Sequence, residues 1–129
     1  MGLKFEISVI LPASPEKIYN AWLDSQGHAQ MTGSPAQTSS AIGGKFEAWD
    51  GYIHGTNLEL VPDKRIVQSW RTTEFDESDA DSRIEVTLEN TDEGTRLTIK
   101  HTDLPPHGMQ YKQGWIDYYF DPMKEYFQS

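Results

Sequence analysis

The sequence contains no cysteine, no long apolar run and little positive charge. Without cysteine the chain can form neither a disulfide nor a thiolate ligand, so nothing in it requires an oxidising compartment. The N-terminal residues alternate between charged and apolar side chains, unlike the continuous apolar stretch of a signal peptide or a membrane span. We therefore expect a cytoplasmic protein without a membrane segment.

The charge balance argues against two classes of partner. Twenty acidic side chains stand against eleven basic ones, which gives a formal net charge of -9. A surface of this sign repels both a phosphate backbone and an anionic membrane. We expect neither nucleic acid nor a membrane as a partner.

The length and the aromatic content describe one globular unit. A chain of 129 residues has the usual size of one domain and can bury roughly two-thirds of its unfolded surface. Hydrophobic residues make up only 36%, but the aromatic 12% bury a large area per side chain. We expect a single domain over residues 1–129.

Apolar residues that alternate with polar ones predict a series of β-strands. In the first strand Phe5 and Ile7 share one face. Asp50-Gly51 provides a two-residue hairpin turn, and a four-residue turn ending at Gly94 joins the last two strands. The predicted strands span residues 4–11, 45–49, 52–61, 65–73, 82–90 and 95–102.

Three helices are predicted around these strands. Ser14 caps the first, with Pro15 at its first position, and Asp24 caps a short second helix that Gly33 closes. Residues 34–44 show no periodicity and are predicted to form a loop, with a flap as the less favoured alternative. From about residue 109 to the end an aromatic-rich pattern predicts a long helix, which Pro122 should kink.

This order of elements, β-α-α-β-β-β-β-β-α, predicts an α+β fold. Its curved antiparallel sheet has about six strands and one apolar face, and only the C-terminal helix is long enough to cover that face. A helix laid along a curved sheet often leaves a gap. The gap is the natural place for a ligand.

A succession of short motifs resembles one known family over nearly the whole chain. The motifs are Ser14-Pro15-Glu16 with Trp22, Gly43-Gly44-Lys45-Phe46, Asp50-Gly51 with Gly55, Pro62 with Arg65-Ile66-Val67 and Trp70, Gly94-Thr95, and Gly114-Trp115. In this order they are similar to homologues of the activator of the heat-shock-protein-ninety ATPase. That family lies within the START-related, birch-pollen-allergen-like helix-grip superfamily, also called SRPBCC.

The resemblance implies a helix-grip fold, in which the sheet wraps around the long C-terminal helix and encloses a hydrophobic cavity. It also implies a part in the stress response. The eukaryotic cochaperone for which the family is named carries a separate N-terminal domain that does most of the contact with the chaperone. This chain has no room for that domain, so cochaperone activity is kept as an alternative.

The polar residues do not form a recognisable catalytic or metal-binding motif. The four histidines lack the paired helical spacing of a zinc site, and the acidic segment 76–81 lacks the glycine and the closing glutamate of a calcium loop. No serine lies in a nucleophile elbow, and no glycine-rich loop precedes a helix. We expect no metal, no cofactor and no catalytic residue.

Aromatic rings with one polar edge suit a pocket that is apolar in bulk and selective at a few points. His54 and His101 share strand parity with apolar neighbours, which predicts that both point to the helix-facing side, as ligand anchors or as bonded core residues. The candidate pocket-lining residues are Tyr52, His54, Trp70, His101, Trp115, Tyr118 and Tyr119.

The sequence leaves three functions open. The first is non-catalytic binding of a small apolar or aromatic molecule in the pocket. The second is regulation of a chaperone or another protein through the acidic surface. The third is an enzyme of the cyclase, dehydratase or hydrolase type with His54 or His101 as general acid or base. Exposed strand edges permit either a monomer or a homodimer.

Overall fold

The computed structural model describes residues 2–128, in which seven strands form one curved antiparallel sheet of order β1-β7-β6-β5-β4-β3-β2. The strands are β1 Leu3–Leu11, β2 Ala36–Gln37, β3 Lys45–Ala48, β4 Ile53–Val61, β5 Arg65–Thr72, β6 Ser82–Thr91 and β7 Gly94–Leu104. Helices α1 Pro15–Leu23 and α2 Ser25–Thr32 connect β1 to β2. The predicted α+β architecture is confirmed.

The C-terminal helix consists of α3 Gln110–Trp115, a π-helical segment Ile116–Phe120 and α4 Asp121–Gln128. Its buried residues include Tyr111, Trp115, Tyr119 and Met123, which are spaced four apart. On a regular α-helix such a spacing drifts by about 40° per step, so one face could not stay buried. The wider π-helical turn compensates for this drift.

Pro122 follows the π-helical segment directly. Its ring nitrogen carries no hydrogen and cannot bond the carbonyl of Tyr118, which a regular helix would require. In the π-helical segment the N–H of Asp121, the residue before Pro122, bonds the carbonyl of Ile116, five residues earlier. The expected disturbance at Pro122 therefore takes the form of a π-helical segment within one continuous helix.

The seventh strand, β2, lies in the segment predicted to be a loop. Ala36 pairs with Ala48, and Gln37 pairs with Glu47. Two residues are too few to show an alternating pattern, so only the pairing with β3 defines this strand.

The rest of that segment is fastened to the sheet by buried side-chain amides. The indole N–H of Trp22 donates to Gln68 at 3.2 Å, and Gln68 donates to Asn57 at 2.8 Å. Asn57 in turn donates to the backbone carbonyls of Ser39 and Ala41 at 2.7 and 3.0 Å. A loop held in this way is a connector, in line with the favoured expectation, and the contacts oppose a flap.

A bulge at Leu58 reverses which side of β4 faces the core. Before the bulge Ile53 and Asn57 are buried, whereas after it Leu60 pairs with the buried Ile66 and packs against the core. Leu58 itself is left 48% exposed. Core-facing residues in β4 are therefore odd-numbered before the bulge and even-numbered after it.

Replacing Asn57 by alanine should lower the free energy of unfolding by about 2–4 kcal/mol, because the buried Asn57 amide makes three hydrogen bonds that are lost together, one of them to the buried Gln68. Asn90→Ala, at an exposed position near the end of β6, is the matched control and should change stability by less than about 0.5 kcal/mol. Urea unfolding followed by tryptophan fluorescence measures both. Equal effects of the two variants would contradict the role given to Asn57.

Candidate functional site

An open cleft of about 400 Å³ lies between the C-terminal helix and the turn that joins β3 to β4. The helix contributes Gln110, Tyr111, Gly114, Trp115, Tyr118 and Tyr119 to its walls. The sheet side contributes Trp49, Tyr52, Ile53 and Trp70. Apart from Gln110 and Gly114, every wall residue is aromatic or aliphatic.

Beside the cleft, aromatic rings pack on one another between sheet and helix. The ring of Trp115 lies 6.2 Å from Trp22, 5.6 Å from Trp70 and 4.8 Å from Tyr119, measured between centroids. Trp115 is only 3% exposed. The cleft is thus bordered on its inner side by a fixed aromatic cluster.

The turn on the outer side of the cleft has an unusual backbone. Trp49, Asp50 and Gly51 have φ values of 54°, 57° and 87°, all in the left-handed region that favours glycine. The predicted Asp50-Gly51 turn is therefore present, but it also includes Trp49. The ring of Trp49 packs edge-on against that of Tyr118, with an angle of 66° between the ring planes and the centroids 5.1 Å apart.

The polar residues of the cleft meet at one carboxylate. The hydroxyl of Tyr52 donates to the Glu74 carboxylate, and Gln110 donates to the same oxygen at 3.0 Å. Burial and this hydrogen bond both raise the pKa of Tyr52 above its usual value. The hydroxyl of Tyr111 bonds that of Thr72 at 2.6 Å. These bonds link the C-terminal helix to the sheet side of the cleft.

His101 is completely buried behind the cleft, and its two ring nitrogens are both bonded. The indole N–H of Trp115 donates to Nδ1 at 3.0 Å, so Nδ1 carries no proton. Nε2 then donates to the Ser82 hydroxyl at 2.9 Å, and that hydroxyl donates to the Trp70 carbonyl at 2.6 Å. Burial lowers the pKa of His101 to about 3, so the ring is neutral at pH 7.

His28 forms a second buried network with the opposite tautomer. Nδ1 donates to the backbone carbonyl of Trp22 at 2.8 Å, and Nε2 accepts from the hydroxyl of Tyr119 at 2.7 Å. Burial lowers the pKa of His28 to about 4 and raises that of Tyr119. This histidine joins α2 to the π-helical segment.

Five of the seven sequence-predicted residues line the cleft. They are Tyr52, Trp70, Trp115, Tyr118 and Tyr119. His101 faces the helix as predicted, but it acts as a bonded core residue and is not part of the cleft wall. His54 lies elsewhere.

His54 lies on the opposite face of the sheet. It pairs with Glu47 and Arg71, and with them it lines a shallow groove there. The prediction rested on the parity that His54 shares with apolar neighbours, Leu58 and Leu60 among them. The bulge at Leu58 reverses the parity of β4, so His54 and Leu60 face opposite sides of the sheet. The predicted orientation of His54 is therefore wrong.

The predicted set omits five residues of the cleft wall. These are Trp49, Ile53, Gln110, Tyr111 and Gly114. The four-residue spacing from Tyr111 to Trp115 and Tyr119 was a signal for Tyr111. Ile53 could not be predicted without knowledge of the bulge, because its parity in the sequence is opposite to that of Leu60.

Among residues 2–128 no group of three or more histidine, aspartate or glutamate side chains is arranged to hold a metal ion. Within the same residues no helix is both long enough and apolar enough to cross a membrane.

Solved structures place this fold in a known class. An HSP90 activator from Plasmodium falciparum superimposes with a TM-score of 0.85 at 26% identity, over 95% of this chain and 94% of that one. The Aha1 dimer from Colwellia psychrerythraea superimposes with a TM-score of 0.81 at 18% identity, over 97% and 96% of the two chains. The domain is therefore a helix-grip α+β domain, as expected.

The family follows from the sequence comparisons. The family described as "Activator of Hsp90 ATPase homolog 1-like protein" matches residues 12–128, and the chain belongs to this family. The human activator of 90 kDa heat shock protein ATPase homolog 1 is 32% identical over 115 residues, which cover 88% of this chain and 34% of the human protein. The chain thus spans about a third of the length of this curated relative.

Acidification should destabilise the protein through its two buried histidines. Their pKa values of about 4 and 3 lie below the usual 6.5, so the unfolded chain binds more protons below about pH 6.5. The stability that the neutral His28 and His101 contribute is fully present above that pH and is lost as the pH falls. The slope should approach about 2.7 kcal/mol per pH unit for two protons, measured by urea unfolding between about pH 7.5 and 5.

His28→Gln tests the assignment of this slope. The glutamine amide can replace both hydrogen bonds but takes up no proton, so the histidine-dependent slope should fall to about half. A variant with the slope of the unsubstituted protein would show that His28 is not one of the two groups.

Proposed function

We propose that this chain, acting as a single helix-grip domain over residues 1–129, binds a small apolar or aromatic molecule in the cleft without chemically changing it. The observation that carries the proposal is the cleft of about 400 Å³ between the helix and the β3–β4 turn. Its volume lies within the range of about 300–1,000 Å³ that is usual for small-molecule sites.

The chemistry of the walls supports an aromatic ligand. Trp49, Tyr52, Trp70 and Tyr118 offer ring faces and edges, which attract planar apolar molecules. The polar atoms nearby are few, and the Glu74 carboxylate already accepts two hydrogen bonds. Such a site binds the apolar part of a ligand and distinguishes between ligands by a small number of polar contacts.

Gly114 adds an independent argument. It lies within α3, where glycine costs about 1 kcal/mol relative to alanine. A Cβ atom at this position would meet only ordinary contact, since the nearest atom is Tyr118 Cδ2 at 3.8 Å. The fold therefore does not require glycine here for space, whereas a side chain at this position would narrow the cleft.

The arrangement of the histidines favours binding over catalysis. His101 has both ring nitrogens bonded within the protein, which leaves neither free to exchange a proton with a substrate. His54 lies on the far side of the sheet from the cleft. The acid–base mechanism considered for a cyclase, dehydratase or hydrolase depends on one of these two rings.

Substitutions at Gly114 test the proposal. Gly114→Leu should reduce the affinity for the neutral fluorescent probe N-phenyl-1-naphthylamine by at least about ten-fold, because the side chain enters the cleft. Gly114→Ala is the control and should raise stability by about 0.5–1 kcal/mol while binding is largely retained. Fluorescence titration and urea unfolding measure the two quantities.

Failure of the unsubstituted protein to bind the probe, together with no small molecule in native mass spectra of gently purified protein, would overturn the proposal. Equal affinity of Gly114→Leu and the unsubstituted protein would show that binding occurs away from the cleft.

A second candidate function is contact with an Hsp90-type chaperone, favoured by the family to which the chain belongs. Because the chain corresponds to only part of the curated relatives, the activity of a whole activator is a proposal here. The acidic net charge of -9 would attract a basic chaperone surface. The ATPase rate of the chaperone should rise when this chain is added, and an unchanged rate at saturation would reject this candidate.

A further inference from the structure

Trp49 carries a hydrogen-bond donor without an acceptor. Its indole nitrogen is shielded from solvent, and no partner lies within bonding distance. By contrast, the indole of Trp22 donates to Gln68 and that of Trp115 to His101. A buried unpaired N–H is unfavourable and requires an explanation.

The backbone of the same residue is also unfavourable. A tryptophan at a φ of 54° adopts a conformation that only glycine reaches without strain. The N–H of Asp50, which follows it, bonds the carbonyl of Pro35 at 3.2 Å and holds the turn against the segment before β2. A strained backbone and an unpaired donor thus coincide at one residue of the cleft wall.

Tyr118 is the neighbour of Trp49 in the cleft wall. The Tyr118 ring packs edge-on to Trp49 and is 55% exposed, so it can move without disturbing the buried cluster. A ligand that displaces this ring would lie against the Trp49 indole. An acceptor on the ligand would then complete the missing hydrogen bond.

We propose that Trp49 is the specificity-determining donor of the cleft, and that its ligand is a planar aromatic molecule bearing a neutral acceptor such as a ketone carbonyl. This inference rests on the proposed function of the cleft. A neutral acceptor is favoured over an anion because the Glu74 carboxylate lies at the same site and the net charge is -9. The planar body follows from the ring-lined walls.

The test compares 9-fluorenone with fluorene, two planar molecules of nearly the same shape that differ in one carbonyl. Displacement of N-phenyl-1-naphthylamine from the unsubstituted protein should show fluorenone binding about five-fold more tightly. Trp49→Phe keeps a ring and removes the N–H, so this preference should disappear while fluorene still binds. Tyr126→Phe is the control: it removes the hydroxyl of a ring that does not line the cleft, and it should keep the preference.

A second measurement does not depend on a variant. In a spectrum of ¹⁵N-labelled protein, the indole N–H resonance of Trp49 should move downfield with fluorenone and not with fluorene.

The outcomes separate the two proposals. If the probe does not bind and native mass spectra show no small molecule, the ligand-binding function fails and this inference fails with it. If the probe binds but neither compound displaces it, this inference alone fails. If both bind with equal affinity, or if Trp49→Phe keeps the preference for fluorenone, the cleft remains a binding site and Trp49 is not its donor.

Discussion

The neutral, buried imidazole of His101 is the contact on which the arrangement of helix and sheet depends. It accepts from Trp115 of the helix and donates to Ser82 of β6, which donates to the carbonyl of Trp70 in β5. Each of these groups would be costly to bury alone, so their bonds support one another. The chain of bonds fixes the rotation of α3, and with it the side on which Gly114 faces the cleft.

Two more contacts repeat this principle along the helix. Tyr111 bonds Thr72 of β5, and Tyr119 bonds His28 of α2, so three buried residues spaced four apart each have a polar partner. Tight polar contacts at this spacing need a helix that does not rotate away from the sheet. The π-helical segment, followed at once by Pro122, meets that need.

Strands β3 and β4 and the turn between them hold local conformations that are unfavourable by themselves. Trp49 adopts a left-handed backbone with an unpaired N–H, and Leu58 is pushed outward at the bulge of β4. The bulge turns Ile53 toward the cleft and His54 away from it. Unfavourable local geometry that surrounding structure maintains is often found at functional sites, which agrees with the binding role proposed for the cleft.

The sequence by itself determined the class of fold and its main elements. Period-two alternation defined the long strands, Ser14 and Asp24 defined the helix starts, and the motif succession indicated the family, because these signals are local or follow a fixed order along the chain. It also indicated most of the aromatic cleft wall through Trp70, Trp115 and Tyr119.

Only the tertiary structure decided which polar groups are partners and which face each residue presents. The side of the sheet on which His54 lies depended on a bulge that no local sequence pattern indicates. The hydrogen bonds of the neutral His101 depended on Trp115 and Ser82, which are distant in the chain. The missing partner of Trp49 is likewise visible only when every neighbouring acceptor has been placed. Hydrogen-bond partners that are distant in the chain are brought together only by tertiary packing, so a local sequence pattern does not indicate them.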